Sequence, residues 1–244
     1  MCNVYEPATA DYLNAEWNSY MRATGGGGTL AHKLYKQRLG PRDAGPFITR
    51  DSIVVGQWGM IRPGSPDRLS KDARGRPLMT NNVRSETMAT KPTFRDAWKN
   101  GQRCLIPALS WYEPYWGTND FNTWWRSRRK DGAPWLLAGL WSTWTDKATG
   151  EVAPSYTMIT INANAHPLLG LMHKPERDEE KSILPHHLQE KRAVVPIEQV
   201  DWDMWLTGST DDALSLLQLP SISLFQHGSV DPAKAHVQLV PIAP

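Results

Sequence analysis

The chain has 244 residues, a formal net charge of +2, 40% hydrophobic residues and only two cysteines. This composition is typical of a soluble globular protein with a substantial core, and the small net charge does not by itself require a nucleic-acid partner. No apolar run has the length of a membrane span, the N-terminus lacks a signal-peptide pattern, and two cysteines argue against a disulfide framework. We therefore expect a cytoplasmic protein.

The first predicted element is a helix over residues 11–24, with Asp11 as its cap. The four glycines at 25–28 end this helix and predict a flexible joint, since no strand precedes them and no Gly-Lys-Ser/Thr follows as in a phosphate loop. The β-branched and apolar residues 52–61 predict a buried strand, and residues 62–80, rich in Pro, Gly, Arg and Lys, predict an exposed loop.

Most of the later elements are predicted to be strands. We predict strands over 82–86, 103–112, 135–144, 155–162 and 237–242, a turn over 146–150, and helices over 94–99, 178–191 and 210–219. Many strands with few helices indicate a single α+β domain over residues 1–244, in which a mostly antiparallel sheet curls into a barrel-like shape with peripheral helices. The role of residues 207–244, a C-terminal extension of this domain, is left open.

Cys2 directly follows the initiator methionine. Removal of Met1 would give Cys2 a free α-amine, with a reference pKa near ~8, next to its thiol. This pair can convert an aldehyde into a thiazolidine ring through a Schiff base, or it can act as nucleophile and base on an acyl group. A Met-Cys start can equally have no function.

The twelve tryptophans allow two interpretations. Seven of them fall between residues 111 and 144, interleaved with the basic cluster at 126–130. Aromatic and basic residues in alternation suit single-stranded nucleic acid, whose bases stack on rings while its phosphates meet cations. The same pattern also predicts a tryptophan-rich core with solvated basic turns.

Three further segments carry residues with the chemistry of a site. Asn82, Arg84 and Glu86 would share one face of the predicted strand, where an amide and a guanidinium can hold a sugar-phosphate group. Glu113 ends an apolar strand among aromatic residues, which predicts a raised pKa and a role in proton transfer. His173, at the start of a charged loop, is a candidate acid/base, and the histidine spacing does not predict a zinc site.

An ordered set of segments resembles the SOS-response-associated peptidase (SRAP) family, which includes proteins that sense abasic sites in single-stranded DNA by crosslinking to them. The matching segments run from residue 1 to about 185: Met1-Cys2, Trp58-Gly59-Met60-Ile61, Asn82-Val83-Arg84-Ser85-Glu86-Thr87, Arg103-Cys104-Leu105-Ile106-Pro107-Ala108, Trp111-Tyr112-Glu113, Gly139-Leu140-Trp141, residues 156–164 and His173. Each match is weak alone, and the order makes the set specific.

The resemblance implies a role for each of these residues. Mature Cys2 would form a thiazolidine with the ring-opened abasic sugar, Asn82 would position the N-terminus and the sugar, and Glu113 and His173 would move protons. The remaining residues are assigned to DNA binding: Arg84, Lys91, Thr160 and Trp58. Family members are also called peptidases, chiefly for self-removal of Met1, and a stalled Schiff base would permit lyase cleavage of the strand.

The chain departs from the family pattern in several places. Asn3 and Val4 stand where members usually have Gly-Arg, and the proline-rich segment expected before the first long strand is not recognisable in residues 25–50. The usual tryptophans are missing before Asn82, and His-x-Arg-Met-Pro is replaced at residues 173–177 by His-Lys-Pro-Glu-Arg.

We therefore expect a monomeric, nucleoid-associated DNA-repair protein that crosslinks abasic sites in single-stranded DNA, with no cofactor, no metal and no membrane partner. Two alternatives remain open. One is a hydrolase that uses Cys2 as an N-terminal nucleophile on peptide or amide bonds. The other is a non-covalent single-stranded DNA-binding module.

Overall fold

The computed structural model describes residues 2–24, 35–117, 122–231 and 233. Strands dominate it, and the helices are short apart from the first. The strands are β1 (Val4–Pro7), β2 (Ala44–Ile48), β3 (Ile53–Trp58), β4 (Asn82–Arg84), β5 (Arg103–Tyr115), β6 (Thr123–Arg129), β7 (Trp135–Thr145), β8 (Val152–Asn162), β9 (Arg192–Val194) and β10 (Phe225–Ser229). The helices are α1 (Ala10–Thr24), α2 (Ser85–Met88), α3 (Arg95–Lys99), α4 (Trp202–Thr207) and α5 (Thr210–Ser215).

Five strands close into a barrel. Strand β5 pairs with β2 and β7, β2 pairs with β3, and β8 closes the ring by pairing with both β3 and β7. All of these pairs are antiparallel except β3–β8. The predicted α+β fold with a barrel-like, mostly antiparallel sheet and peripheral helices is confirmed.

The two longest strands of the barrel, β5 and β8, also pair with strands outside it. The second half of β5 pairs with β1 and β6, and β10 adds to β6 at one end of the sheet. The second half of β8 pairs with β4 and β9. These extensions bring the N-terminal strand β1 and the short strand β4 to one side of the barrel.

The prediction of a tryptophan-rich core is confirmed. Trp58, Trp111, Trp135 and Trp205 are at most 1% exposed, and the rings of Trp111 and Trp135 lie 5.7 Å apart. A buried tryptophan usually finds a partner for its N–H, although Trp135 Nε1 has none among the described residues. Trp205 Nε1 donates to the carbonyl oxygen of Cys104 at 2.9 Å, which joins α4 to the barrel.

Several predicted elements agree with the structure in kind but differ in detail. Helix α1 is present, but its N-cap is Thr9 rather than Asp11, because Thr9 Oγ1 accepts from the backbone N–H of Tyr12. The helix predicted over 210–219 ends at Ser215. The glycine joint at 25–28 and the strand at 237–242 lie outside the described residues.

The helix predicted over residues 178–191 is wrong. Within this range the only helical hydrogen bonding is one short 3-10 turn, His186–Leu188. Asp178 Oδ1 instead accepts from the backbone N–H of Ser182, and Lys181 has a φ of 67°, which an α-helix does not allow. Local side-chain bonds of this kind compete with helix formation.

The sequence analysis missed the short strands β1, β2, β6, β9 and β10. Strand β2 contains Gly45 and Pro46, two residues that disfavour a strand assignment from sequence. A Cβ on Gly45 would lie 2.5 Å from Tyr156 Oη, so any larger residue there would force the side chains packed against it to shift. Strand β10 makes part of the extension at 207–244 an integral part of the sheet.

Glu6 fixes the N-terminal strand to the sheet. Its carboxylate accepts hydrogen bonds from Ser110 Oγ at 2.6 Å and Tyr112 Oη at 2.5 Å, and it lies 3.3 Å from Arg38 and 3.4 Å from Arg126. Partial burial acts to raise the pKa of Glu6, but the two hydroxyl donors and the arginines outweigh it and lower the pKa.

We expect Glu6→Gln to destabilise the protein by about 1–2 kcal/mol at pH 7, because hydrogen bonds to a charged acceptor are stronger than those to an amide. Since folding lowers the pKa of Glu6, its contribution is complete above the unfolded pKa of about 4.3 and is lost as the pH falls through the folded value. Urea unfolding at pH 7 and pH 3.5 measures this difference, which should shrink at the lower pH. The exposed Glu16→Gln on α1 is the control, and an equal loss in both variants would contradict the role of Glu6.

Candidate active site

Strand β1 places Cys2 beside the end of β5. Val4 lies opposite Tyr112 in this antiparallel pair, so the chain before Val4 runs toward Glu113 and Pro114. Cys2 is 0% exposed, and its Sγ lies 3.5 Å from the carbonyl oxygen of Val4. The N-terminal end of the described chain is therefore held inside the fold.

Two asparagines hold the backbone of Cys2. Asn82 Nδ2 donates to the carbonyl oxygen of Cys2 at 2.7 Å, and Asn81 Nδ2 donates to the same oxygen at 3.2 Å. Asn82 opens β4, which is fixed in position by its parallel pairing with β8. Asn82 Oδ1 is buried and has no hydrogen-bond partner among the described residues, so one acceptor remains available at this point.

Asn81 was not predicted as a site residue. It is 3% exposed, its Nδ2 also donates to Asn3 Oδ1 at 3.0 Å, and its carbonyl oxygen accepts from Trp58 Nε1 at 2.9 Å. The available sequence signal was its position directly before Asn82, the first residue of an expected strand.

Next to Cys2, the buried Glu113 pairs with His173, whose side chain is 22% exposed. His173 Nε2 lies 3.0 Å from Glu113 Oε1, and Glu113 is 2% exposed. The backbone N–H of His173 donates to the carbonyl oxygen of Pro114 at 2.7 Å, and a bridge between Tyr115 and Met172 brings this loop against the end of β5. The structure thus brings together all four residues predicted to be catalytic: Cys2, Asn82, Glu113 and His173.

The chain matches the sequence profile of the SOS response associated peptidase (SRAP) family over residues 37–233. The chain belongs to the SRAP family.

The relatives found by sequence share part of the SRAP chain. Abasic site processing protein YoqW of Bacillus subtilis is 33% identical over 119 residues, which are 48% of each chain. Abasic site processing protein HMCES of Xenopus tropicalis is 26% identical over 136 residues, 46% of this chain and 37% of the relative. The chain therefore spans about half the length, or less, of these relatives.

Two solved structures are similar over nearly the whole SRAP chain. A protein from Bordetella bronchiseptica superposes with a TM-score of 0.75 at 32% identity, covering 94% of this chain and 100% of the other. A protein from Bacteroides thetaiotaomicron superposes with a TM-score of 0.68 at 19% identity, covering 95% and 93%, and shows the fold alone.

The predicted direction of the Glu113 pKa is wrong. Burial acts to raise it, as the surrounding rings suggested, but attraction to His173 and their hydrogen bond outweigh burial and lower the pKa below the usual value of a glutamate. Glu113 in this SRAP protein is therefore a carboxylate at neutral pH. Burial raises the pKa of the Cys2 thiol, and the charge of Glu113 raises it further, so the thiol is uncharged at neutral pH.

Lys191 supports the backbone of His173 and had no sequence signal. Its Nζ donates to the carbonyl oxygen of His173 at 2.7 Å, and the residue is 2% exposed. His173 has a φ of 63°, in the left-handed region that few non-glycine residues adopt, so its backbone needs such partners. Burial lowers the pKa of Lys191 to about 8.

Among the residues assigned to DNA binding, Arg84 and Lys91 are exposed. Arg84 ends β4 and lies 3.5 Å from Glu190, and Lys91 lies between α2 and α3. The prediction that Glu86 shares a strand face with Asn82 and Arg84 is wrong, because β4 ends at Arg84 and the chain turns into α2 at Ser85. Glu86 binds Arg192 at 2.7 Å instead.

The other two residues assigned to DNA binding, Trp58 and Thr160, are buried and contact only the protein interior. Both are 0% exposed. Trp58 packs edge-on against Tyr5 at 4.9 Å and holds Asn81, while Thr160 Oγ1 donates to the carbonyl oxygen of Val83 at 3.2 Å. The DNA contacts expected for these two residues do not fit the structure, and both instead support β4 and its asparagines.

Within the described residues, no three His, Cys, Asp or Glu side chains lie close enough together to bind a metal ion. No helix among them is long and apolar enough to cross a membrane.

Proposed function

We propose that this SRAP protein processes abasic sites in single-stranded DNA, forming a covalent thiazolidine between Cys2 and the ring-opened sugar once Met1 is removed. The observation that supports this most directly is the position of Cys2, held by Asn82 beside the Glu113–His173 pair, in which only Glu113 is buried. The relatives named as abasic site processing proteins support the substrate class.

Removal of Met1 would place a new α-amine at Cys2. Asn82 already binds the carbonyl oxygen of Cys2 through Nδ2, and its unpartnered Oδ1 can accept a hydrogen bond from that amine. A residue held at both ends of its backbone loses little additional freedom when it reacts, which favours attack on a bound sugar. Self-removal of Met1 is part of this proposal.

The order of the two bond-forming steps follows from the protonation states. The α-amine has a reference pKa near ~8, so part of it is neutral at pH 7, whereas the Cys2 thiol is uncharged and weakly nucleophilic. The amine therefore attacks the C1 aldehyde first and gives a Schiff base with release of water. The thiol then adds to the imine carbon, its sulfur forming the C–S bond and its proton passing to the imine nitrogen.

In this proposal, Glu113 and His173 carry these protons. Glu113 is a carboxylate near Cys2 and can accept the proton of the thiol before it returns to the ring nitrogen. His173, which is bound to Glu113, can donate to the departing water and to the sugar oxygen as the ring opens. A closed thiazolidine protects the strand, whereas a Schiff base that does not close permits β-elimination and strand cleavage.

The test is incubation with a labelled single strand in which a uracil glycosylase has created one abasic site, followed by denaturing electrophoresis. Intact mass must first show that the protein begins at Cys2. We expect a slower band that resists denaturation, with none from the undamaged strand or from a tetrahydrofuran analogue, which has no aldehyde. Protein lacking Met1 that yields no such band refutes the proposal, and turnover of an external amide substrate would instead support the hydrolase.

A further inference from the structure

One tryptophan differs from all the others in its exposure. All twelve lie in the described part of the chain, and Trp124 on β6 is the only exposed one, with 47% of its surface accessible. Side chains alternate between the two faces of a strand. In β6, Thr123, Trp125 and Ser127 are buried, so Trp124 points outward, as do the two arginines that follow at the same spacing, Arg126 and Arg128. We call these three residues the β6 outer face.

The β6 outer face begins next to the candidate active site. Trp124 lies directly opposite Pro114 in the β5–β6 pair, and the carbonyl oxygen of Pro114 accepts from the backbone N–H of His173. Adjacent strands are about 4.8 Å apart, so the backbone of Trp124 is one strand away from the residue that anchors His173. Glu113 pairs with Trp125 and points to the opposite side of the sheet, so the β6 outer face borders the site without lining it.

The charges around this face are mostly positive. Arg126 lies 3.4 Å from Glu6, but Glu6 is shared with Arg38. Arg128 donates through Nε to Gln226 Oε1 at 2.9 Å, which is a neutral partner. Three guanidinium groups thus stand against one carboxylate, beside an exposed aromatic ring. This combination suits a single strand of nucleic acid, in which every base offers a face for stacking and every linkage carries a negative charge.

We propose that the β6 outer face binds the undamaged part of the strand next to the lesion, with Trp124 stacked on a base and Arg126 and Arg128 bound to phosphates. This inference rests on the proposed function, which identifies the bound strand as single-stranded DNA that carries an abasic site. It adds a binding surface on the side of the sheet opposite the Glu113 side chain.

The binding of an undamaged strand tests this surface separately from crosslinking. The probe is fluorescein-labelled oligothymidylate, the protein background is Cys2→Ala, and affinity is measured by fluorescence anisotropy. We expect Trp124→Ala to weaken binding by about five- to 100-fold, the usual effect of losing one base–aromatic stack, and Trp124→Phe to retain most of the affinity. Met204→Ala on α4, where Met204 is 44% exposed, is the control and should change nothing.

The arginines are tested through the salt dependence of binding. Arg128→Gln should reduce the slope of log affinity against log salt by about 0.7, the contribution of one phosphate contact to a single strand. Arg128 is chosen because Arg126 also contacts Glu6 and its loss would disturb β1. The thermal unfolding midpoint of each variant must match that of its parent, and Trp124→Phe keeps the test valid if Trp124→Ala does not fold.

The two proposals can fail separately. If Trp124→Ala binds oligothymidylate as tightly as its parent, the β6 outer face is not a nucleic-acid surface, and a protein partner becomes the alternative. This conclusion holds whether or not the protein crosslinks. If Trp124→Ala weakens binding but the protein with Cys2 intact does not crosslink, the thiazolidine is refuted and the β6 outer face is supported. If both proposals hold, Trp124→Ala in the Cys2 background raises the half-saturating concentration of lesion DNA and leaves the maximal rate of crosslinking unchanged.

Discussion

Replacing Cys2 by alanine is expected to remove the stable crosslink completely. The variant keeps an α-amine once Met1 is removed, but it has no thiol to close the ring, so attack on the aldehyde stops at the Schiff base. Schiff bases hydrolyse during denaturing electrophoresis, and the shifted band should fall to background. Treatment with borohydride reduces the imine to a stable amine and should restore a band for Cys2→Ala.

The second cysteine of the chain provides a matched control. Cys104 is also 0% exposed, but it lies within the barrel, where β5 pairs with β7. Cys104→Ala should change stability only and should crosslink at the wild-type rate per folded molecule. A stable band from Cys2→Ala without borohydride would contradict the thiazolidine. Unchanged function of Cys2→Ala in every assay would instead select the non-covalent module.

Retained Met1 is a separate way to test the same chemistry. A protein in which Met1 is kept has its α-amine one residue away from the thiol, so the five-membered ring cannot form. The yield of the stable band should therefore follow the fraction of molecules that begin at Cys2, as measured by intact mass. A yield that is independent of this fraction would exclude an N-terminal mechanism.

The sequence selected four residues that the structure brings together, but it did not predict their environment. Cys2 was singled out by its place after Met1, whereas Asn82, Glu113 and His173 each stand at the start or end of a predicted strand or apolar run. What joins them is the pairing of β1 with β5 and the bridge from Tyr115 to Met172, contacts between residues far apart in the chain. Local periodicity contains no signal for such contacts.

The same limitation explains the errors around His173. The pattern near Glu113 showed the aromatic rings but not the histidine 60 residues later that reverses the direction of its pKa shift. Residues 178–191 were predicted as a helix, whereas Gln189 uses its side chain to bind the backbone of Glu176 and Leu184. These bonds order an irregular segment that brings Lys191 back to His173. Because the sequence shows none of these bonds, it could not predict that Lys191 supports His173.

Replacing Glu113 by glutamine is expected to slow crosslinking by about 10²- to 10⁴-fold, the usual contribution of a positioned acid or base. Glutamine has nearly the same shape and can still accept a hydrogen bond from His173, so the change removes mainly the charge. Single-turnover rates at saturating lesion DNA measure the effect. Affinity for undamaged oligothymidylate should stay at the wild-type value, because Glu113 is 2% exposed and its side chain points away from the β6 outer face. The exposed carboxylate variant Glu179→Gln is the control for loss of charge.

The same substitution should have the opposite effect on the thiol. Burial, and after it the charge of Glu113, raises the pKa of the Cys2 thiol, so Glu113→Gln removes the second contribution, lowers that pKa and increases the thiolate fraction at a given pH. Alkylation of Cys2 by iodoacetamide at pH 8 should therefore become faster while crosslinking becomes slower. Loosening of the site would also speed alkylation, but by the same factor at every pH. Alkylation is therefore followed over a range of pH, because only a lowered thiol pKa moves the midpoint of the pH–rate profile to lower pH.

His173→Gln should slow crosslinking as well, and the double variant shows whether the two residues act as a unit. Side chains 3.0 Å apart that move the same protons are strongly coupled, so the double variant should be little slower than the slower single variant. Multiplicative losses would mean that Glu113 and His173 act in separate steps. If both single variants crosslink at the wild-type rate, Glu113 and His173 do not transfer protons in the mechanism. Crosslinking would then depend on the amine and thiol of Cys2 alone.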